Sequence, residues 1–170
     1  MSTITTSQTI GPFSHEGWQW AVDGCASLST SAPTIVLEGV VYDGDGNPVD
    51  DAQVEAWLPH AAASEAGQEI PGFRRTPTGA GGEFSLRLSA PARPAGEPVA
   101  YITVFARGLT RHQFTAVFLE DDPALAASGI LEQVPAARRA TLLARANGAG
   151  SYRWDIWLQT DKETVFFDYS

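Results

Sequence analysis

Apolar and polar positions alternate with period two through most of the chain from Ile35 onward. Glu83-Phe84-Ser85-Leu86-Arg87-Leu88 does so most cleanly and predicts a strand with Phe84, Leu86 and Leu88 on its buried face. Residues 99–106 and 113–119 are β-branched and aromatic runs of strand length. Tyr152, Trp154, Ile156 and Leu158 recur at every second position of a further run, and residues 163–168 close the series. Residues 37–57 read as strand, turn and strand, the turn being Asp43-Gly44-Asp45-Gly46-Asn47-Pro48. In the second of these strands Val54 and Ala56 point one way, and Gln53, Glu55 and Trp57 the other. About seven short strands separated by Gly, Pro and Asn turns are the pattern of an antiparallel β-sandwich, an all-β fold.

Three stretches break the alternation. Residues 61–82 and 90–98 are rich in Ala, Gly and Pro and read as long loops. Pro123 and Pro135, each beside helix-forming residues, predict a short helical insertion over about 122–147. Its apolar stripe would hold Leu142 and Leu143, with Arg138, Arg139 and Arg145 on its solvated face. Residues 1–33 show little periodicity yet carry Phe13, Trp18 and Trp20. An extended N-terminal arm so rich in large rings is expected to pack on its own sandwich, residues 34–170, or on a partner chain.

Composition narrows the class without naming a function. At 170 residues, 44% hydrophobic and 18% charged, the chain has the make-up of a soluble globular domain. A net charge of −9 argues against nucleic acid or an anionic membrane as partner. Cys25 is the single cysteine, so no intrachain disulfide can form, and a lone thiol without a neighbouring histidine is expected to be inert. With no basic start and no long apolar run near Met1, a cytoplasmic location is the expectation.

The local motifs favour bland readings. Asp43-Gly44-Asp45-Gly46-Asn47 starts like a calcium loop, but Pro48 stands where the sharp turn needs glycine and Val54 where the loop needs glutamate, so a hairpin turn is expected. Gly79-Ala80-Gly81-Gly82 lacks the helix and lysine of a phosphate loop. His15, His60 and His112 lie apart, and Tyr42, Tyr101, Tyr152 and Tyr169 sit in or beside strands. The residues alone describe an acidic β-sandwich without an evident site.

Residues 37–57 also resemble the opening signature of the intradiol ring-cleavage dioxygenases, non-haem ferric enzymes. Four further segments resemble one branch of that family, the α subunits of its two-subunit members. They are Ser7-Gln8-Thr9-Ile10-Gly11-Pro12-Phe13, Phe105-Ala106-Arg107-Gly108, Tyr152-Arg153-Trp154-Asp155-Ile156 and Glu163-Thr164-Val165-Phe166-Phe167-Asp168-Tyr169. The resemblance spans nearly the whole chain in order. It implies cleavage of protocatechuate (3,4-dihydroxybenzoate) with O2 to 3-carboxy-cis,cis-muconate, a step of aromatic catabolism. It also implies a homologous β subunit that holds Fe(III) through two tyrosines and two histidines.

The same resemblance implies that this chain binds no iron and supplies no catalytic residue. The family's His-x-His strand aligns with residues 99–106, where Val99 and Tyr101 flank Ala100. The two ligand tyrosines would fall near residues 61–73 and 90–98, and neither loop contains a tyrosine. Carried over by motif, Thr9, Gly11, Pro12, Phe13 and Arg107 would line the substrate pocket of the β-chain iron site, with Phe13 where the family often has tyrosine. A guanidinium suits that place because the substrate carries a carboxylate and two acidic phenols. The other reading, a transthyretin-like β-sandwich binding or accessory module, would share the 37–57 hairpin. Such a module would not need the aromatic arm or the Phe105-Ala106-Arg107-Gly108 strand end.

Overall fold

The structure, a computed structural model, describes residues 14–25 and 27–168. Its strands are β1 (Thr34–Tyr42), β2 (Gln53–Trp57), β3 (Phe73–Pro77), β4 (Glu83–Ser89), β5 (Ala100–Phe105), β6 (Gln113–Leu119), β7 (Leu143–Ala146), β8 (Ser151–Arg153) and β9 (Ile156–Trp157). Helices α1 (Ser14–Cys25) and α2 (Gly129–Gln133) complete the regular elements, with 3₁₀ turns at Ala62–Glu65, Leu125–Ala127 and Ala136–Leu142.

The strands run in the order β3-β2-β5-β6-β7-β8-β1-β4, with β9 beside β1. Antiparallel pairing dominates, but β1 pairs in parallel with β8 and β9, and β6 in parallel with β7. The sheet is therefore mixed. Parallel contacts arise because the insertion after β6 carries the chain back across the fold before β7 begins, a return that a tight hairpin cannot make.

The core lies between the halves of the sheet. Leu37, Val41, Phe84, Leu86 and Leu88 from β1 and β4 meet Val54, Ala56, Ile102, Val104 and Val117 from β2, β5 and β6. Phe84, Leu86 and Leu88 are all buried, as the alternation requires. Trp154 and Ile156 complete the same cluster, with Tyr152 and Leu158 packed against it, although the run is broken into β8 and β9. A second cluster forms on the far side of β6, where Leu131, Val134 and Leu142 of the insertion cover Ala116 and Phe118.

Several local expectations change. The turn after β1 is closed by an isolated bridge between Tyr42 and Pro48, yet β1 and β2 do not pair. The chain crosses to the other half of the sheet instead of forming a hairpin. Residues 61–82 are not all loop, since β3 lies inside them and pairs with β2. The insertion is mostly 3₁₀ turns and ends earlier than expected: Leu143–Ala146 form β7, because the free edge of β6 offers backbone partners to Leu143 and Ala144. Arg145 therefore stands on a strand, while Arg138 and Arg139 donate to the carbonyls of Glu163 and Val134. Residues 163–168 form no strand but lie along β6, with Phe167 N donating to Phe114 O at 2.8 Å.

In the N-terminal segment residues 14–25 form helix α1, and residues 27–33 lead from it to β1 without helix or strand. Ala21 of α1 is buried, Trp20 is exposed, and the Cys25 thiol donates to the Phe73 carbonyl at 3.4 Å. Burial pushes the Cys25 pKa up, keeping it a thiol. No helix among the described residues is long and apolar enough to cross a membrane.

Gly39 marks the closest approach in the sandwich. A Cβ there would lie 1.9 Å from the Trp154 carbonyl oxygen and 2.7 Å from the Phe84 ring. Gly39→Ala must push β1 away from its neighbours and is expected to lower stability by about 1–3 kcal/mol. Thermal denaturation checks this; an unchanged Tm contradicts it.

Candidate functional site

Arg107 stands where β5 ends. Ala106 is buried, and the chain then turns, with Leu109 N donating to Ala106 O at 3.3 Å and Gly108 at φ +84°. A Cβ on Gly108 would meet nothing within 4 Å, so the backbone angle is what requires glycine. The turn leaves the Arg107 side chain 62% exposed, and its Nε donates to the Asp51 carboxylate. The β2–β5 register explains the pair: continuing the Gln53↔Phe105 match by two residues sets Asp51 opposite Arg107.

The pair borders an open cleft of about 580 Å3. Arg107 is the cation in its lining, facing Asp43, Gln113, Gln159, Glu163 and Phe166. The Asp43 carboxylate accepts from the backbone N–H groups of Asn47 and Asp45 at 2.8 and 2.9 Å. These bonds, that from Asn47 foremost, hold its pKa below the usual carboxylate value, so it is a fixed negative charge at the rim. The site thus presents one exposed guanidinium, pinned on its Nε side, in a mixed polar and aromatic cleft. Asp51, Asp43 and Glu163 set three carboxylates around that one guanidinium.

Of the residues expected at a substrate pocket, only Arg107 falls within the described structure; Thr9, Gly11, Pro12 and Phe13 lie outside the described residues. Sequence reasoning missed Asp51, because only the β2–β5 pairing seen in the structure sets it opposite Arg107. It also missed Glu163 and Phe166, which reach the cleft only through the path of the C-terminal segment.

A different part of the fold holds the segments that the resemblance aligns with the family's iron ligands, residues 61–73 and 90–101. There the loops flanking the 3₁₀ turn at Ala62–Glu65 and β5 meet around Leu58, His60, Ala61, Ser89, Arg93 and Val99, leaving about 10 Å3 of space. That is about the room one water needs.

Comparison with known proteins gives the family. No family model matches the chain. The protocatechuate 3,4-dioxygenase alpha chain of Burkholderia cepacia is 36% identical over 99% of this chain and 100% of its own length. The chain belongs to the protocatechuate 3,4-dioxygenase alpha-chain family. The alpha chain of Pseudomonas putida is 33% identical over 97% of this chain and 96% of its own length. Among solved structures, the dioxygenase domain of a dioxygenase–carbohydrate-binding protein fusion from Streptomyces sp. SirexAA-E shares the fold, with TM-score 0.59 and 19% identity over 82% of this chain and 85% of that one.

The residues that the resemblance aligns with the iron ligands do not suit ferric iron. Val99 is buried and carries no donor atom, and Ala100 beside it is fully buried. Tyr101 faces the other way, stacked on Phe114 at 5.6 Å between ring centroids. Arg93, which also lines the remaining space and is paired with Asp122, is a hydrogen-bond donor with no lone pair to offer a metal. No group of three or more His, Cys, Asp or Glu side chains among the described residues is placed to hold a metal.

Proposed function

We propose that the chain is the iron-free, pocket-lining subunit of a heteromeric intradiol dioxygenase that cleaves protocatechuate with O2 to 3-carboxy-cis,cis-muconate. The observation that carries the reading is the match to alpha chains over the full length of both sequences. Fe(III) belongs, on this reading, to a homologous β subunit, which supplies the redox chemistry; the alpha chain supplies walls, orientation and charge.

Residues 1–33 serve as the arm that reaches the partner, and the sandwich of residues 34–170 as its platform. Thr9, Gly11, Pro12 and Phe13 border the β-chain pocket, where Phe13 contributes ring surface but no phenol hydroxyl. Arg107 approaches the same pocket from the end of β5. Pairing with Asp51 occupies its Nε, so the Nη1 and Nη2 groups are the donors left for a substrate anion. Docking the arm against the partner would exclude water and strengthen that contact. The complex would work in the cytoplasm on a small aromatic acid and needs neither nucleic acid nor membrane.

Co-expression with a homologous chain carrying two tyrosine and two histidine ligands tests the proposal. The expected result is co-elution of the two chains with protocatechuate-dependent oxygen uptake that neither chain shows alone. Separate elution, with uptake unaffected by this chain, overturns it and favours the accessory-module reading.

A further inference from the structure

A second cleft, of about 360 Å3, is lined by residues from 140–145, 153–157 and 162–164, and shares no lining residue with the Arg107 cleft. Its floor is apolar, formed by Leu143, Trp154 and Trp157, and its rim is basic: Arg145 on β7, Arg153 on β8 and Lys162 on the turn after β9. Concentrating these three cations is unusual in a chain of net charge −9 with 11 basic residues, among which Lys162 is the single lysine.

The fold holds two of the cations together against their mutual repulsion. Arg145 and Arg153 are directly opposed across the antiparallel β7–β8 pair, where like charges destabilise a sheet. Asp155, the one carboxylate in the lining, answers Arg153 alone, at 2.7 Å, and its same oxygen accepts from Val40 N at 3.0 Å. Arg145 has no carboxylate partner among the described residues. Lys162 Nζ lies 4.8 Å above the Trp157 ring, whose other neighbour is the stacked ring of Tyr42.

The turn that delivers Lys162 is strained. Thr160 has φ +94°, the one positive φ of a non-glycine residue among those described, and a β-branched side chain makes that conformation costly. Its hydroxyl accepts from Lys162 N at 3.1 Å, so the strained residue fixes the backbone of the lysine.

We propose that this cleft binds a small di- or tricarboxylate, its carboxylates bridging Arg145 and Lys162 and its hydrocarbon body lying on Leu143 and the two indoles. An anion bridging the rim relieves the Arg145–Arg153 opposition and gives Arg145 the partner it lacks. The apolar floor between separated cations favours a carbon-bodied anion over a compact one such as phosphate. The inference stands apart from the proposed reaction, since none of these residues belongs to the Arg107 cleft.

Titration calorimetry of the full-length chain with tricarballylate tests it, with inorganic phosphate as the second probe. One site is expected, weakened by added salt and about tenfold weaker in Arg145→Gln, a surface change that leaves the fold intact. Arg145→Lys should retain much of the affinity, and Arg87→Gln, an exposed arginine on β4, should change nothing. Absence of binding, equal loss in Arg87→Gln, or phosphate binding as tightly as tricarballylate would each overturn the proposal. So would an Arg145→Gln chain that binds tricarballylate normally but associates poorly with its partner, which would make the rim a protein interface.

Discussion

Glu65→Ala is expected to destabilise the fold by about 3–5 kcal/mol, the scale for breaking a buried ion pair from one side. Glu65 is fully buried, and its partner Arg74 is 2% exposed. One carboxylate oxygen of Glu65 accepts from Arg74 Nη2 at 2.6 Å and from the Ser89 hydroxyl, and the other accepts from Gly72 N at 2.7 Å. Arg74 donates in addition to the carbonyls of Arg87 at 3.0 Å and Phe73 at 2.6 Å. Removing the carboxylate leaves a buried guanidinium without its counter-charge and frees three donors at once. The double variant Glu65→Leu, Arg74→Met should recover most of the loss, because it removes both charges and keeps apolar volume. Denaturant unfolding distinguishes the two; equal stability of Glu65→Ala and the wild type contradicts the account.

The pair also sets a pH dependence. Burial pushes the Glu65 pKa up, but the hydrogen bonds from Ser89, Arg74 and Gly72 together outweigh it and hold the pKa below its ordinary value of 4.5. A depressed carboxylate pKa contributes stability that is fully present above the unfolded value. That contribution is lost as the pH falls below 4.5 through the folded pKa. Acid unfolding of Glu65→Gln should accordingly be less steep over that window than that of the wild type.

Arg107→Ala, made in the complex with the iron-bearing partner, is expected to lower kcat/KM for protocatechuate by about 10- to 100-fold, the range for losing a charge-assisted hydrogen bond. Most of the change should appear in KM if the guanidinium grips the substrate equally in ground and transition states. Catechol, which lacks the carboxylate, should show a smaller loss if the carboxylate is the group held. The fold should be little affected, because the Arg107–Asp51 pair is solvent-exposed and such pairs are worth about 0–1 kcal/mol. Unchanged steady-state kinetics in the variant would remove Arg107 from the site.

What was legible in the sequence follows from how much each segment obeys one local rule. The core strand β4 could be read at once because its alternating residues face a core on one side and water on the other. β2 misleads in detail: Gln53 and Glu55, assigned to the outer face, are buried as well, so its polar residues do not mark solvent. β3 was hidden because Phe73-Arg74-Arg75-Thr76-Pro77 places a charged residue inward, acceptable only through Glu65, nine positions earlier. No periodicity announces such a pairing. β7 was hidden for the opposite reason, since Leu143-Ala144-Arg145-Ala146 prefers helix locally and becomes a strand only because β6 offers it an edge. The candidate site divides in the same way. Arg107 was singled out by its motif, whereas its partner Asp51 emerges only once the β2–β5 register is known. The basic rim of the second cleft needs three separated segments to meet and left no trace along the chain.

The most direct test of the central claim is the iron content of this chain purified alone after expression with abundant iron, measured together with its protocatechuate-dependent oxygen uptake. The account predicts a colourless protein with only trace iron and no uptake, which gains a role when the iron-bearing chain is added. Iron at one ion per chain, or uptake by the chain alone, would contradict it.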